Sequence, residues 1–311
     1  MLKFTLNRLS QSIILVLLVS IITFFIMNLS PGGPSSMMRM DATAEERAAI
    51  AEQLGLNDPI FVRYTEWLVQ AVKGDLGVSL SSGQPVTERI MERLPYTLQL
   101  TVVTLVVSII LGILFGVWAA MRRNTKTDYL INLGSVVGLS VPSFWMAIIF
   151  VLFFAVELQI LPSSGVGDTS LVDKVKSMVL PIAVLATSTL PTIVRFTRSS
   201  MLEVISQNYI RTARAKGAKE RTVIYFHALR NGLIPVISII GVLIPRLLGG
   251  AVIVESVFGW PGMGRLIVEA SQGRDYNVIM GVTVFVTVIV ILSNFIVDII
   301  YSKLDPRVKT F

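Results

Sequence analysis

Six apolar runs alternate with polar stretches along the chain: approximately Leu9–Leu29, Tyr96–Met121, Leu130–Val156, Val179–Val194, Leu233–Val254 and Asn277–Tyr301. A helix needs about 20 apolar residues to cross a hydrocarbon core of ~30 Å. The pattern therefore predicts an all-α integral membrane chain with six transmembrane helices. The fourth run is the shortest and is bracketed by Pro181 and Pro191. The first run follows Lys3 and Arg8, as in a secretory signal. It is longer than a signal's apolar region and ends in Asn-Leu-Ser-Pro-Gly-Gly-Pro without a small-residue cleavage site, so it is expected to persist as the first span.

Between the first two runs lies a segment, 30–95, too long for a simple loop. Thr43 and Glu46 form a capping box for a short helix closed by Gly55. Pro59 opens a second one that Gly74 ends. This insert serves either as a packing cap over the bundle or as a docking surface. Within the runs, Gly112, Gly116 and Ala120 recur every four residues, as do Gly134, Gly138 and Pro142. Such small-residue faces let helix backbones approach closely. The fifth run carries Pro235, Gly241, Pro245, Gly249 and Gly250. A helix so interrupted is tolerated at depth beside protein or a water-filled cavity. It also carries Arg246, a charge that lipid would penalise by at least about 2.5–3.5 kcal/mol. Arg246, Gly249 and Gly250 are thus candidates for a translocation path; the alternative pairs Arg246 with Asp298 or Glu255.

Composition supports the membrane reading: 53% of the 311 residues are hydrophobic and only 15% are charged, against about a quarter charged in soluble domains. The net charge of +7 would suggest nucleic acid, but its distribution argues otherwise. With the N-terminus inside, the cytoplasmic segments hold 16 of the 27 basic side chains, while residues 30–95 hold six basic and nine acidic ones. That asymmetry is the positive-inside signal. It places both termini inside, makes the lipid bilayer the partner and leaves no reason to invoke nucleic acid.

Several chemistries are excluded. There is no cysteine and one histidine, His227, so disulfides, thiolate metal sites and multi-histidine metal sites are ruled out. No phosphate-binding glycine loop and no nucleophile elbow occur. The spans are nearly free of Asp and Glu, which weakens an ion-coupled secondary carrier. No catalytic or metal residues and no cofactor are assigned to the chain. It reads as a conduit driven by something else.

The polar connection before the fifth run stands apart. Asn208–Pro235 carries Arg211, Arg214, Lys216, Lys219, Arg221 and Arg230. Ser200 and Glu203 have the spacing of a capping box for a helix starting just after the fourth run. A second helical stretch runs from Asn208 to Gly217, the latter suited to a left-handed terminator. Tyr209, Thr212, Ala213 and Lys216 fall at i, i+3, i+4 and i+7 and share a face, apt to seat in a groove of another protein.

This stretch resembles the cytoplasmic coupling loop of type I ABC importer permeases, E-A-A-x-x-x-G. Arg211, Thr212, Ala213 and Gly217 stand in register with E, A, A and G, and Ala213 and Gly217 match. The spelling NYIRTARAKG…HALRNGLIP is similar to the oligopeptide/dipeptide subfamily, B-type subunit. So are the ordered landmarks LNDPI, GDLGVSL, LPYTLQLT, NTKTDY, VPSFW, VESVFGWPGMGRL, RDY and DPRVK, which cover nearly the whole chain. The resemblance implies a type I ABC importer permease fold, N-in and C-in, with a small helical extracytoplasmic insert. It implies a multi-pass permease of the cell membrane for di- or oligopeptides. Its partners would be a second homologous permease, two ATP-binding subunits that hold ATP and Mg, and an extracytoplasmic solute-binding protein. Residues 1–29 would be the N-terminal helix, 30–95 the extracytoplasmic segment, 96–302 the permease core with coupling loop 199–232, and 303–311 the tail. Tyr209, Thr212, Ala213, Lys216 and Gly217 would contact the ATPase. The same architecture also imports other solutes, such as nickel chelates or glutathione.

Overall fold

A computed structural model describes residues 2–29, 58–167 and 170–304, the side chains of 2–7, 298 and 300–304 excepted. The first short helix expected in the insert, around Thr43 to Gly55, and the tail after Leu304 lie outside the described residues. Ten helices are labelled here: α1 Leu2–Leu29, α2 Ile60–Val72, α3 Val86–Met121, α4 Lys126–Ser140, α5 Ser143–Phe150, α6 Leu171–Ile205, α7 Asn208–Ala215, α8 Ile234–Val257, α9 Met263–Gln272 and α10 Tyr276–Leu304. Among the described residues the one extended pairing is an isolated bridge between Val78 and Pro85. Five helices are long and apolar enough to cross a membrane, and the third apolar run makes six if its two halves count as one span.

The limits of the spans differ from the apolar runs in three places. Helix α3 begins at Val86, ten residues before the run does, and keeps Pro95 inside it. Helix α6 extends the shortest run, Val179–Val194, to 35 residues. Ser170 caps its start, accepting from the Asp173 N–H at 3.1 Å, and both Pro181 and Pro191 are buried within it. Hydropathy marks only the oily middle of such helices. Ser200 and Glu203 therefore lie mid-helix, with Ser200 buried, and do not cap a new one. The third run is not straight. Val141 is extended ahead of Pro142, as a residue before proline prefers, and α4 and α5 bend by 106° there. Helix α5 continues into a π-helical turn, Val151–Glu157. Helix α8, by contrast, runs unbroken through Pro245 and its glycines.

The chain divides into two compact units. The first comprises Met1–Thr97 and Pro261–Ile291. Its core is Val86, Ile90, Met263, Leu266, Ala270, Val278, Ile279 and Val282, and Gly281 permits the contact with Val86, because a Cβ there would lie 2.5 Å from Val86 Cγ1. The landmarks GDLGVSL and RDY meet in this unit. Gly77, at φ +83, turns the chain so that Ser79, Leu80 and Ser81 surround the buried carboxylate of Asp275. Ser79 Oγ donates to Asp275 Oδ2 at 2.5 Å and Ser81 Oγ at 2.9 Å. The Leu80 and Ser81 N–H groups donate at 3.2 Å each.

The second unit comprises Leu98–Trp260 and Leu292–Phe311, and α6 is its axis, packed against α4, α5 and α8. Helix α3 joins it through the predicted small-residue face. A Cβ on Gly112 would meet Ile193 Cγ2 at 2.6 Å, and one on Gly116 would meet Thr197 Cβ at 2.5 Å. Ser108 and Thr189 hydroxyls share a buried hydrogen bond of 2.8 Å beside them. On the second face, Gly138 meets Pro191 and Thr187, while Gly134 faces open space.

Candidate functional site

Helix α7 follows α6 after the two-residue turn Ser206–Gln207. Its single large aliphatic residue, Ile210, is fully buried among Val117, Ala120, Met201, Val223, Ile224 and Ala228. Burying one such side chain contributes roughly 1.5–3 kcal/mol, and that anchor fixes which face points inward. Ala213 packs on the same cluster and is half-buried. The exposed face is Asn208, Arg211, Thr212, Ala215 and Lys216, with Tyr209 at its edge. The structure thus leaves Tyr209, Thr212 and Lys216 of the expected face open and turns Ala213 toward the chain's own core; the small exposed residue is Ala215.

The helix is closed by Gly217 at φ +81, the left-handed conformation its position predicts. Its N–H bonds the Arg214 carbonyl at 2.9 Å, and an added Cβ would meet nothing within 4 Å. Glycine is required there for backbone conformation, not for space. Arg214 turns across the turn and forks onto Glu220, Nε to Oε2 at 3.1 Å and Nη2 to Oε1 at 2.7 Å. That hydrogen bond raises the Arg214 pKa and holds the Glu220 carboxyl below the usual carboxylate range. Asn231 Nδ2 donates to Tyr209 Oη at 2.9 Å, tying the helix to the start of the return path.

Sequence reasoning missed the ion pair that holds this end of α6. Asp128, at the start of α4, is buried and accepts from Arg198 twice, Nε to Oδ1 at 2.6 Å and Nη2 to Oδ2 at 2.7 Å. Asn132 Nδ2 and the Asn124 N–H complete its shell at 2.7 and 3.0 Å. Asn124 is itself left-handed, φ +62. The landmark NTKTDY is therefore a carboxylate socket for an arginine 70 residues away. No local signal could have named that partner.

The second candidate set lies on α8. Arg246, Gly249 and Gly250, at i, i+3 and i+4, share one side of the helix. Arg246 and Gly249 are exposed, with open space where a Gly249 Cβ would stand, and a Cβ added to Gly250 would make ordinary contact with Leu185 Cδ2 at 3.6 Å. Among the described side chains, which do not include Asp298, no ion pair is formed by Arg246. Glu255 is fully buried elsewhere on the helix. Among the described residues no group of three or more His, Cys, Asp or Glu could hold a metal ion.

Comparison with known proteins places the chain. Residues 112–310 match the family described as "Binding-protein-dependent transport system inner membrane component", and residues 1–101 match its companion, "Binding-prot-dependent transport system membrane comp, N-term". The chain belongs to this family of transport permeases. The oligopeptide transport system permease protein AppB of Bacillus subtilis is 42% identical to this permease over 99% of the chain and 100% of its own length. The dipeptide transport system permease protein DppB of Alkalihalophilus pseudofirmus is 39% identical over 99% and 100%. Among solved structures, the inward-facing MetNI methionine ABC transporter shares the fold, with a TM-score of 0.57 at 19% identity over 70% of this permease and 96% of that chain. The permease is thus a multi-pass membrane protein with an ABC importer permease fold.

Proposed function

We propose that this chain is the permease subunit of an ATP-driven importer of di- and oligopeptides in the cytoplasmic membrane. It works with a second homologous permease, two ATP-binding subunits and an extracytoplasmic solute-binding protein. The substrate assignment is supported by the peptide transport named for both AppB and DppB. The coupling role is carried by one observation: α7 is sealed to its own chain through Ile210 and leaves the opposite face uncovered. A helix anchored on one side and bare on the other is the form that helix-in-groove docking takes.

In this reading the ATPase seats on Tyr209, Thr212, Ala215 and Lys216, with the Gly217 turn at the rim. ATP and Mg belong to the partner subunits, because this chain has no phosphate-cradling loop. Arg214 and Glu220 stiffen the turn, and the Asp128–Arg198 pair passes its displacement from α6 to α4. Arg246, Gly249 and Gly250 form a wall of the path, where a guanidinium suits a peptide's terminal carboxylate. The test is co-purification of the complete importer carrying Ala215→Trp. The expected result is loss of the ATPases with membrane insertion and permease stability unchanged. Full ATPase retention by Ala215→Trp, with impaired membrane insertion instead on Arg211→Ala, would show that the loop's charge serves topology alone.

A further inference from the structure

Helix α2 has three faces rather than two. Ile60, Tyr64, Trp67 and Leu68 pack against Phe24 and Met280. Arg63, Glu66 and Gln70 form a polar face that lines an open cavity of about 590 Å³ together with Asn277. The third face is bare and mostly apolar: Phe61, Val62, Val69 and Val72 are 69%, 41%, 53% and 82% exposed, with Thr65 exposed among them, and Thr65 and Val69 also border the cavity. A helix surrounded by water on its outer sides gains nothing from four such residues on one edge.

The position of α2 along α1 identifies what covers that edge. Tyr64 Oη shares a buried hydrogen bond of 2.8 Å with Ser20 Oγ, and its ring meets Phe24 at 5.4 Å. Ser20 lies nine residues before Leu29, the end of the candidate span Arg8–Leu29. At 1.5 Å per residue that is ~13 Å along the helix, reached only by the tip of the Tyr64 side chain. Phe24 and Phe25, which meet the Tyr64 and Phe61 rings, lie roughly 6–8 Å from Leu29, within the ~5–10 Å depth of helices in the membrane interface. Phe61 touches Phe25 with ring centroids 5.6 Å apart. The bare edge of α2 thereby continues the exposed apolar side of the candidate span α1 formed by Ile22, Ile26 and Leu29.

We propose that α2 is an interfacial membrane helix. It lies in the leaflet entered by the Leu29 end of α1, with Phe61, Val62, Val69 and Val72 among acyl chains and Arg63, Glu66 and Gln70 turned to headgroups and water. A large apolar edge, an aromatic residue at the boundary and a charged opposite face are the features of helices that lie in the interface plane. The proposal rests on membership of the permease family and on α1 as a span, and it holds whatever solute the importer carries. It resolves the two open uses of the insert for this helix: α2 serves as a foot in the bilayer rather than as a platform for the binding protein.

The chain has no cysteine, so the test uses single spin labels on the full permease, assembled with its partners in phospholipid nanodiscs. Val62→Cys and Val69→Cys report the bare edge, and Glu66→Cys and Gln70→Cys the polar face. Collision rates with oxygen, which partitions into lipid, and with a water-soluble nickel chelate are measured at each site. The expected result is oxygen-dominated relaxation at 62 and 69 and nickel-dominated relaxation at 66 and 70. Nickel-dominated relaxation at all four sites would overturn the proposal and leave an aqueous surface. Exclusion of both reagents at 62 and 69 would overturn it equally, showing a protein cover, and its appearance only with the binding protein present would identify a docking site. Peptide-stimulated ATP hydrolysis in the same preparations checks the transporter reading separately from the helix's position.

Discussion

Gly116→Ala and Gly134→Ala are one chemical change in two surroundings, and the structure assigns them opposite signs. Both replace a helical glycine, and alanine is favoured there by ~1 kcal/mol on propensity alone. At Gly134 an added Cβ meets nothing within 4 Å, so the propensity gain stands. At Gly116 it would lie 2.5 Å from Thr197 Cβ, 2.9 Å from Thr197 Cγ2 and 2.9 Å from the Val194 carbonyl oxygen. Ordinary contact begins at 3.4 Å, so α3 and α6 must separate by nearly an ångström. Rotation of Thr197 cannot relieve the clash, because its Cβ and a backbone oxygen are involved. Overpacking of this kind typically costs about 1–3 kcal/mol. Gly116→Ala is therefore expected to be neutral to destabilising by up to ~2 kcal/mol, and Gly134→Ala stabilising by up to ~1 kcal/mol. Thermal unfolding of the purified single permease, followed by loss of monodisperse protein, should separate the two by several degrees, since 1 kcal/mol shifts chains of 150–250 residues by about 2–4 °C. Equal melting, or Gly116→Ala melting higher, would refute the close approach of α3 to α6.

Three further outcomes are expected. Gly217→Val should lower ATPase coupling, through roughly 1–3 kcal/mol of strain at φ > 0, while Gly217→Asn, which tolerates that conformation, should retain most of it; equal transport by both variants would show that the turn does not matter. Asp128→Asn should destabilise the permease by less than the ~3–5 kcal/mol of a wholly buried broken pair, because Arg198 keeps a quarter of its side chain in solvent, and Arg198→Lys should lose part of the same stability because an ammonium cannot fork; unchanged melting of both would remove the pair's role. At Asp275, burial alone would raise the pKa, but hydrogen bonds from Ser79, Ser81 and the Leu80 and Ser81 N–H groups outweigh it and hold the carboxyl below its usual range. The stability from that depressed pKa is present at neutral pH and lost as pH falls through the folded value, so the melting difference between wild type and Asp275→Asn should shrink on acidification, and a constant difference would contradict the assignment.

Much of the fold was legible because its determinants are local. Gly217 announces its turn by following a polar helix, and Gly112 and Gly116 announce a close contact by their spacing. What escaped depended on distance or on a choice between faces. Hydropathy counts residues without registering that Val141 and Pro142 redirect the chain, so one run became two helices bent by 106°. In α7 the i, i+3, i+4, i+7 rule selected a stripe containing Ala213. The decisive signal was Ile210, the helix's single large aliphatic residue, whose burial leaves Ala215 outside instead. Asp128 with Arg198, and Asp275 with Ser79, pair residues 70 and 196 positions apart. Charge and hydroxyl content hint that such carboxylates need partners, but a single sequence does not say which.

Helix α6, at 35 residues, is ~52 Å long at 1.5 Å per residue, far more than the ~30 Å of hydrocarbon it crosses. A single helix holds Ile193 and Val184 in the packed interior, loses a backbone hydrogen bond at each of the buried Pro181 and Pro191, and at its other end hands directly to α7 after two residues. No loop lies between the intramembrane grip and Arg198 to absorb torque. If α7 seats the ATPase as proposed, a tilt or roll imposed on it would reach Val184, about 32 Å from Ile205 by the same rise per residue, through the stretch that Pro191 interrupts.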